Sequence, residues 1–374
     1  MTFIDIGGTV FHVREEGPRG APALLLLHSL GTTMEIWAPQ VPALSRQYRV
    51  IRMDLRGHGM SGVTAGDYSM ASLAADAVAV LDALGVAQAH VAGVSIGGRL
   101  SLELAAAHAH RVLSIMPCDT SFISGPPERW ITRMDGVKAG GMAAVQDAVM
   151  ANWVVDPALP SSRALLRMLL RCDPAGYLGC AAALRDAAMP GPITCPTTVL
   201  VGEADPSSPI AKSQEIAAGI PGAKLVVIAH ASHIPNFEAA EAVTAAMLGH
   251  LAGLHAVGAD AGMAVRRAVL GNAHVDRSEA RLTAIDAPFR EFILEGAWGR
   301  VWTRPGLSRH QRSLITLSML AALGLDEEFK LHVRATANTG VSAAEISEAL
   351  LHVASYAGVP RANHALKLVK ETLP

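Results

Sequence analysis

Residues 90–100, HVAGVSIGGRL, constrain this chain more tightly than any other stretch. The run is apolar through Val91, turns on Gly93-Val94-Ser95-Ile96-Gly97, and continues with helical periodicity through Leu100, Leu102 and Leu104. A G-x-S-x-G turn between strand and helix holds its serine in a strained, exposed conformation. Its glycines stand where any Cβ would collide with a neighbouring element. The first turn of the helix offers unpaired backbone N–H groups to an oxyanion forming at that serine. Gly/Ser turns between apolar runs are common loops, so the pentapeptide acquires chemical meaning only if an acid and a histidine follow in order.

The surrounding segments predict the frame. Residues 2–14 read as a hairpin about Gly7-Gly8, and residues 23–27, 48–54, 86–91 and 112–116 as strands, with a helix over 70–84. Strands alternating with helices predict a mainly parallel sheet with helices on both faces. Residues 118–190 break the rhythm: Pro126, Pro127, Gly140, Gly141, Pro157 and Pro160 punctuate short amphipathic pieces, expected as a helical lid. Strands resume at 197–201 and 224–228, and a helix from about Glu238 to Leu251 closes a first domain, 1–251. Residues 252–262, small and polar-poor, are expected as a linker. Residues 263–374 carry helices only, so a smaller all-α domain is expected there. Its signals are capping boxes at Ser308-x-x-Gln311 and Ser342-x-x-Glu345, Asp326 as a helix cap, and Gly324 and Gly340 just past helix ends.

Composition narrows the setting. The 374 residues are 51% hydrophobic, enough for large cores, and the net charge of −2 argues against nucleic acid or an anionic membrane as partner. Cys118, Cys172, Cys180 and Cys195 show no C-x-x-C or metal-site spacing and read as buried thiols of a reducing compartment, with no metal expected. The alternating start MTFIDIGGTVFHV reads as a strand rather than a signal peptide, and no apolar run approaches the ~18–20 residues of a membrane span. A cytoplasmic protein is expected.

Downstream of the elbow, one strand ends in Gly202-Glu203-Ala204-Asp205-Pro206 and the next in His230-Ala231-Ser232-His233-Ile234-Pro235. Parallel strands gather their C-terminal ends at one edge, so Asp205 and His233 can both lie beside Ser95. The histidine would take the serine proton while the carboxylate fixes the imidazole tautomer. Glu203 and Asp119 are rival acids, and His230 is a rival base. The oxyanion would be held by the N–H of Ile96 and one from the Ser29–Leu30 turn.

With these residues in view, the runs LLLHSLGTTMEIWAPQ, DLRGHGMS, the elbow, VGEADPSSP and SHIPNFE resemble the 3-oxoadipate enol-lactonase branch of the α/β-hydrolases over roughly residues 1–250. The resemblance implies an α/β-hydrolase fold with a helical lid. It also implies a small lactone substrate bearing an acetate arm, with Trp130 and Trp153 in the lid and Arg129 or Arg133 receiving the carboxylate. His28 departs from the uncharged residue expected there and would place a basic group at the mouth of the site.

In the C-terminal part, Glu328 and His332 stand one helical turn apart, with Arg334 further round. Around them LGNAHVDR (270–277), WGRVWTRPGL (298–307) and LHVASYAGVP (351–360) resemble 4-carboxymuconolactone decarboxylase. Relatives of that fold with peroxidase activity use a C-x-x-C pair, and these residues contain no cysteine. The implied substrate is its own electron sink, so no cofactor is expected. His332 would deliver the proton, Glu328 would orient it, and Arg334 would bind carboxylate. His274, Arg312, His352 and Tyr356 are second-rank candidates, the last two with a packed structural role as the competing reading. The two resemblances imply consecutive steps of protocatechuate catabolism and a homo-oligomer built through the C-terminal domain. The rival is a serine esterase or haloperoxidase-like hydrolase whose C-terminal domain serves only assembly or binding.

Overall fold

A computed structural model describes residues 2–303 and 307–373, and for 255–259 the backbone alone. By its internal contacts the chain divides into two compact units, Met1–His250 and Leu251–Pro374.

The first unit is built on an eight-stranded sheet. The strands are β1 (Thr2–Ile6), β2 (Thr9–Glu16), β3 (Ala23–Leu27), β4 (Arg49–Met53), β5 (Ala89–Val94), β6 (Val112–Cys118), β7 (Thr198–Gly202) and β8 (Lys224–Ile228). Their spatial order is β1-β2-β4-β3-β5-β6-β7-β8. The β1–β2 hairpin joins β4 antiparallel, and every later pairing is parallel. Strand β3, all aliphatic, is buried along its whole length, as a strand covered on both faces must be. Register then aligns the strand tips: Leu27 pairs with Gly93, Val94 with Cys118, and Gly202 with Ile228. The segments leaving β3, β5, β6, β7 and β8 therefore emerge along one edge.

Two glycines make the elbow possible. A Cβ on Gly93 would lie 2.1 Å from the Gly97 carbonyl oxygen, and one on Gly97 would lie 2.3 Å from that of Leu27. The helix Ile96–Ala107 can thus sit directly against the sheet, with Ile96, Leu100, Leu102 and Leu104 buried.

Between β6 and β7 lie the helices Pro127–Gly140, Gln146–Trp153, Pro160–Arg171 and Pro174–Arg185. The prolines there begin helices as well as separating them. Pro127, Pro160 and Pro174 occupy first-turn positions, where a missing N–H costs nothing.

The helix Ala240–Leu270 is longer than expected and contains residues 252–262, the stretch read as a linker. Its alanines favour helix over irregular chain. In the second unit, helices Arg309–Leu323, Asp326–Thr339, Ala343–Ala357 and Val359–Thr372 enclose a core of Leu317, Phe329, Val333, Ile346, Leu350 and Leu368. Both capping boxes form, and Gly324 and Gly340 adopt left-handed conformations. Asp326 is not the cap: Leu325 holds that position, and Asp326 is instead the first helical residue, bonded to His364 Nε2 at 2.8 Å. A smaller cluster joins Val265 and Val269 to Leu294 and Trp298 of the π-helical turn Leu294–Trp302. No described helix is long and apolar enough to cross a membrane. Cys118, Cys172 and Cys180 are buried free thiols, and Cys195 is half-buried.

Candidate active site

Ser95 sits at the junction of β5 and its helix with φ 58° and ψ −114°, a conformation that L-residues adopt only under constraint. The constraint is visible: its N–H donates to the Cys118 carbonyl at 2.9 Å, and its own carbonyl accepts from Thr120 Oγ1 at 2.9 Å. Ser95 lines a cleft together with Ser29, Leu30, His233, Trp130 and Trp153. As the helix's first residue, Ile96 has an N–H with no intrahelical acceptor.

His233 Nδ1 lies 2.8 Å from Asp205 Oδ2, with both side chains almost fully buried. The Asp205 carboxylate also accepts from Ser207 N–H at 2.7 Å. Burial alone would push the Asp205 carboxyl up, but the charge and hydrogen bond of His233 outweigh it and hold the group below the ordinary range. The rival pair stands elsewhere: exposed His230 donates its backbone N–H to exposed Glu203 at 3.2 Å.

Asp119 is a more serious rival. At the end of β6 it is fully buried at φ 47°, accepting from Gly202 N–H at 2.8 Å and from the Cys118 thiol at 3.0 Å. One potential ligand atom each from Asp119, Asp205 and His233 lies within 4.8 Å of the others. Burial and the neighbouring Asp205 charge push the Asp119 carboxyl well above the usual range, so of the two acids Asp205 carries the charge.

The Ser29–Leu30 turn is locked from behind. The Ser29 carbonyl accepts from His28 Nδ1 (2.8 Å), Thr32 N–H (3.1 Å) and Thr32 Oγ1 (2.7 Å), while the Ser29 hydroxyl is buried without a partner. The expectation for His28 is corrected here. The ring is completely buried, its Nε2 accepts from Leu55 N–H at 2.9 Å, and burial pushes its pKa down, so it is a neutral brace rather than a basic group at the mouth. His58 does the same work beside it, accepting Gly31 N–H at 2.9 Å, with its pKa lowered to about 3 by burial and by His28.

Over the cleft, all four lid residues singled out in the sequence converge: Arg129, Trp130, Arg133 and Trp153. The Arg133 guanidinium stacks on Trp130, 5.3 Å from the ring centre. Arg129 is exposed at its rim, and what burial it has, together with the adjacent Arg133, lowers its pKa. The free space beneath them is about 40 Å³. Two residues given no role in the sequence reading tie lid to histidine loop. Ser232 Oγ donates to the Asn152 carbonyl at 2.8 Å, and Glu238 accepts from Val155 and Ser232 N–H groups, each at 2.7 Å. Only the SHIPNFE segment hinted at them.

In the second unit, Glu328 is exposed and makes no hydrogen bond to His332 among the described residues. His332 is half-buried, stacks with Trp302 at 6.4 Å and has a buried Nδ1 without a partner. Burial and the neighbouring His274 lower its pKa, against an opposing pull from Glu328. Arg334 is exposed, and its charge reaches His274. Arg312 is half-buried. His352 and Tyr356 stack on each other at 6.4 Å, but Tyr356 is 88% exposed, which removes the packed role considered for it within this chain. Residues 304–306 of the WGRVWTRPGL motif lie outside the described residues.

Residues 22–140 match the alpha/beta hydrolase fold family, and residues 287–371 match the carboxymuconolactone decarboxylase family. A 4-carboxymuconolactone decarboxylase of Acinetobacter baylyi is 46% identical over 110 residues, covering 29% of this chain and 82% of that protein. The same organism's 3-oxoadipate enol-lactonase 1 is 33% identical over 241 residues, covering 63% of this chain and 90% of that protein. The chain belongs to both families, one after the other. In solved structures, the enol-lactonase from Burkholderia xenovorans LB400 is 35% identical with a TM-score of 0.64, covering 67% of this chain and 100% of its own. The elbow lies within the residues that match the alpha/beta hydrolase fold family, and His332 within those that match the carboxymuconolactone decarboxylase family.

Proposed function

We propose that the chain is a bifunctional enzyme that decarboxylates 4-carboxymuconolactone to 3-oxoadipate enol-lactone and hydrolyses that lactone to 3-oxoadipate. The observation that carries the hydrolytic half is the buried Asp205–His233 hydrogen bond in the cleft that Ser95 lines. Ser95 Oγ attacks the lactone carbonyl and passes its proton to His233, whose charged form Asp205 stabilises. The Leu30 and Ile96 N–H groups receive the oxyanion. The ring C–O bond then breaks, the enol leaves and ketonises, and water admitted by His233 hydrolyses the acyl-serine. Arg129 and Arg133 receive the acetate carboxylate, and Trp130 and Trp153 cover the ring.

In the second unit, breaking the bond to CO₂ sends its electron pair through the ring double bond onto the lactone carbonyl, and a proton is then added to carbon. His332 delivers it. Its lowered pKa keeps the free ring neutral, and an arriving dianion offsets the arginine field around His274 so that His332 can bind the proton it gives up. Glu328 supports that charge through space, without a hydrogen bond. The division into compact units at His250/Leu251, with one family matched on each side, supports a joint near residue 251 between two enzymes. Exposed Ile285, Phe289, Phe292, Leu323, Tyr356 and Val359 support assembly through the second unit, in a cytoplasmic setting that suits the free thiols.

The test is to supply each lactone separately to the full chain. Enol-lactone should release one proton equivalent in a pH-stat, and 4-carboxymuconolactone should release CO₂. Silence in either assay removes that half of the reading. Light scattering showing only a ~39 kDa monomer at working concentration would contradict the assembly.

A further inference from the structure

A hollow in the second unit has a charge that its own residues do not neutralise. It lies between the helices Asn272–Glu279 and Ala287–Ile293 and holds about 490 Å³. Four guanidiniums line it, Arg266, Arg277, Arg281 and Arg290, against the carboxylates of Glu279 and Asp286. Both carboxylates are already engaged. Glu279 is held by Arg266 at 3.0 Å and by Arg290 at 2.6 Å, and Asp286 accepts from Thr283 N–H at 3.0 Å and Thr283 Oγ1 at 2.6 Å. Arg266 is buried and fixed further by Ser278 Oγ at 3.0 Å. That leaves Arg277 and Arg281, which meet no carboxylate among the described residues. The opposite wall is apolar, formed by Leu282, Phe289 and Ile293. His274 also lines the hollow, and its ring is close enough to influence the titration of His332.

We propose that this hollow binds a small polycarboxylate anion, with Arg277 and Arg281 each taking a carboxylate, the apolar wall covering its carbon skeleton, and His274 facing His332 beside it. Guanidinium forks suit carboxylates because two parallel N–H donors match two oxygens. The hollow's positive charge is local in a chain whose net charge is −2, and its size fits a small molecule. The inference deepens the decarboxylase reading and rests on it only for the identity of the anion. Burial and the charges of Arg266, Arg277 and Arg334 lower the pKa of His274, as expected where an anion is still to arrive.

The experiment is calorimetric titration of the full chain with propane-1,2,3-tricarboxylate at fixed ionic strength, run beside decarboxylation kinetics. Arg277→Gln and Arg281→Gln should each weaken binding and raise KM about 10-fold, with kcat falling less. The double variant Lys367→Gln/Lys370→Gln, which removes two exposed charges elsewhere in the unit, should leave both unchanged. Should Arg277→Gln fail to fold, Arg281→Gln decides alone, since Arg281 is exposed and beyond the helix end. CO₂ release with an unaltered KM in the arginine variants overturns the hollow and leaves the decarboxylase reading standing. Arginine-dependent tricarboxylate binding without any CO₂ release sinks the decarboxylase and leaves the hollow. Inorganic phosphate competing as well as the tricarboxylate would overturn the proposed ligand class.

Discussion

The two units approach the same problem, stabilising charge during a lactone reaction, in opposite ways. Around Ser95 the supporting groups are already paired, although the Ser29 hydroxyl is not: Asp205 holds His233, and His28 and His58 brace the Ser29–Leu30 turn. In the second unit the groups wait: among the described residues the buried His332 Nδ1 has no partner, Glu328 is exposed, and Arg277 and Arg281 meet no carboxylate. Serine hydrolysis needs fixed dipoles aimed at an oxyanion, so preorganisation is its main asset. In decarboxylation the substrate is its own electron sink, and the protein has mainly to bind an anion and time one proton transfer. The difference teaches that a site can be prepared either by completing its hydrogen bonds or by leaving charge for the substrate to complete.

The sharpest way to break this comparison is at the nucleophile. Ser95→Ala should lower hydrolysis by about 10⁴–10⁶-fold while leaving CO₂ release intact. Loss of both activities would mean that the sites are not independent. Asp205→Asn should cost about 10⁴-fold in hydrolysis by disturbing the His233 tautomer. Asp119→Asn should cost less than about 10-fold, because an amide can still accept from Gly202 and donate toward Asp205. Equal losses in kcat/KM would make Asp119 the working acid.

At the waiting site the effects shrink. His332→Ala should slow decarboxylation by about 10²–10⁴-fold, with enol-lactone hydrolysis as the internal control. Glu328→Gln should cost less than His332→Ala, since no hydrogen bond joins the two residues; an equal loss would show that the pair closes on substrate.

Much of the first site was legible because Ser95, Asp205 and His233 each follow an apolar run of strand length, and parallel strands end together. The role of Asp119 was not, because it depends on β6 lying beside β7, which places a second carboxyl against Asp205. His28 misled for a similar reason: its basicity is a property of free imidazole, and complete burial removes it against the opposing pull of the Asp54 charge and the Ser29 carbonyl. In the second unit Arg266, Arg277 and Arg290 lie on three different helices and Arg281 just beyond one of them, so only the folding of those helices against each other brings the four to one hollow. The linker residues became helix because alanine content, not a want of polar residues, decides that conformation.

The smallest effect concerns stability. His58 has a pKa of about 3 in the folded chain against 6.5 when unperturbed. Between those values the unfolded chain binds more protons, so stability is complete above pH 6.5 and falls as the pH drops toward 3. The slope from this one ring approaches about 1.4 kcal/mol per pH unit. Urea midpoints across that window should fall less steeply for His58→Gln, which keeps an acceptor for Gly31 N–H. An unchanged slope would show that the ring is not held neutral.

The central claim is two active centres in one chain working in sequence, and ultraviolet-monitored turnover of 4-carboxymuconolactone by the native chain and by Ser95→Ala tests it most directly. The account predicts that native protein carries the substrate to 3-oxoadipate, whereas Ser95→Ala consumes it at the same rate and stops at the enol-lactone. If neither protein consumes the carboxylated lactone, or if the variant still forms 3-oxoadipate at the native rate, the account is wrong.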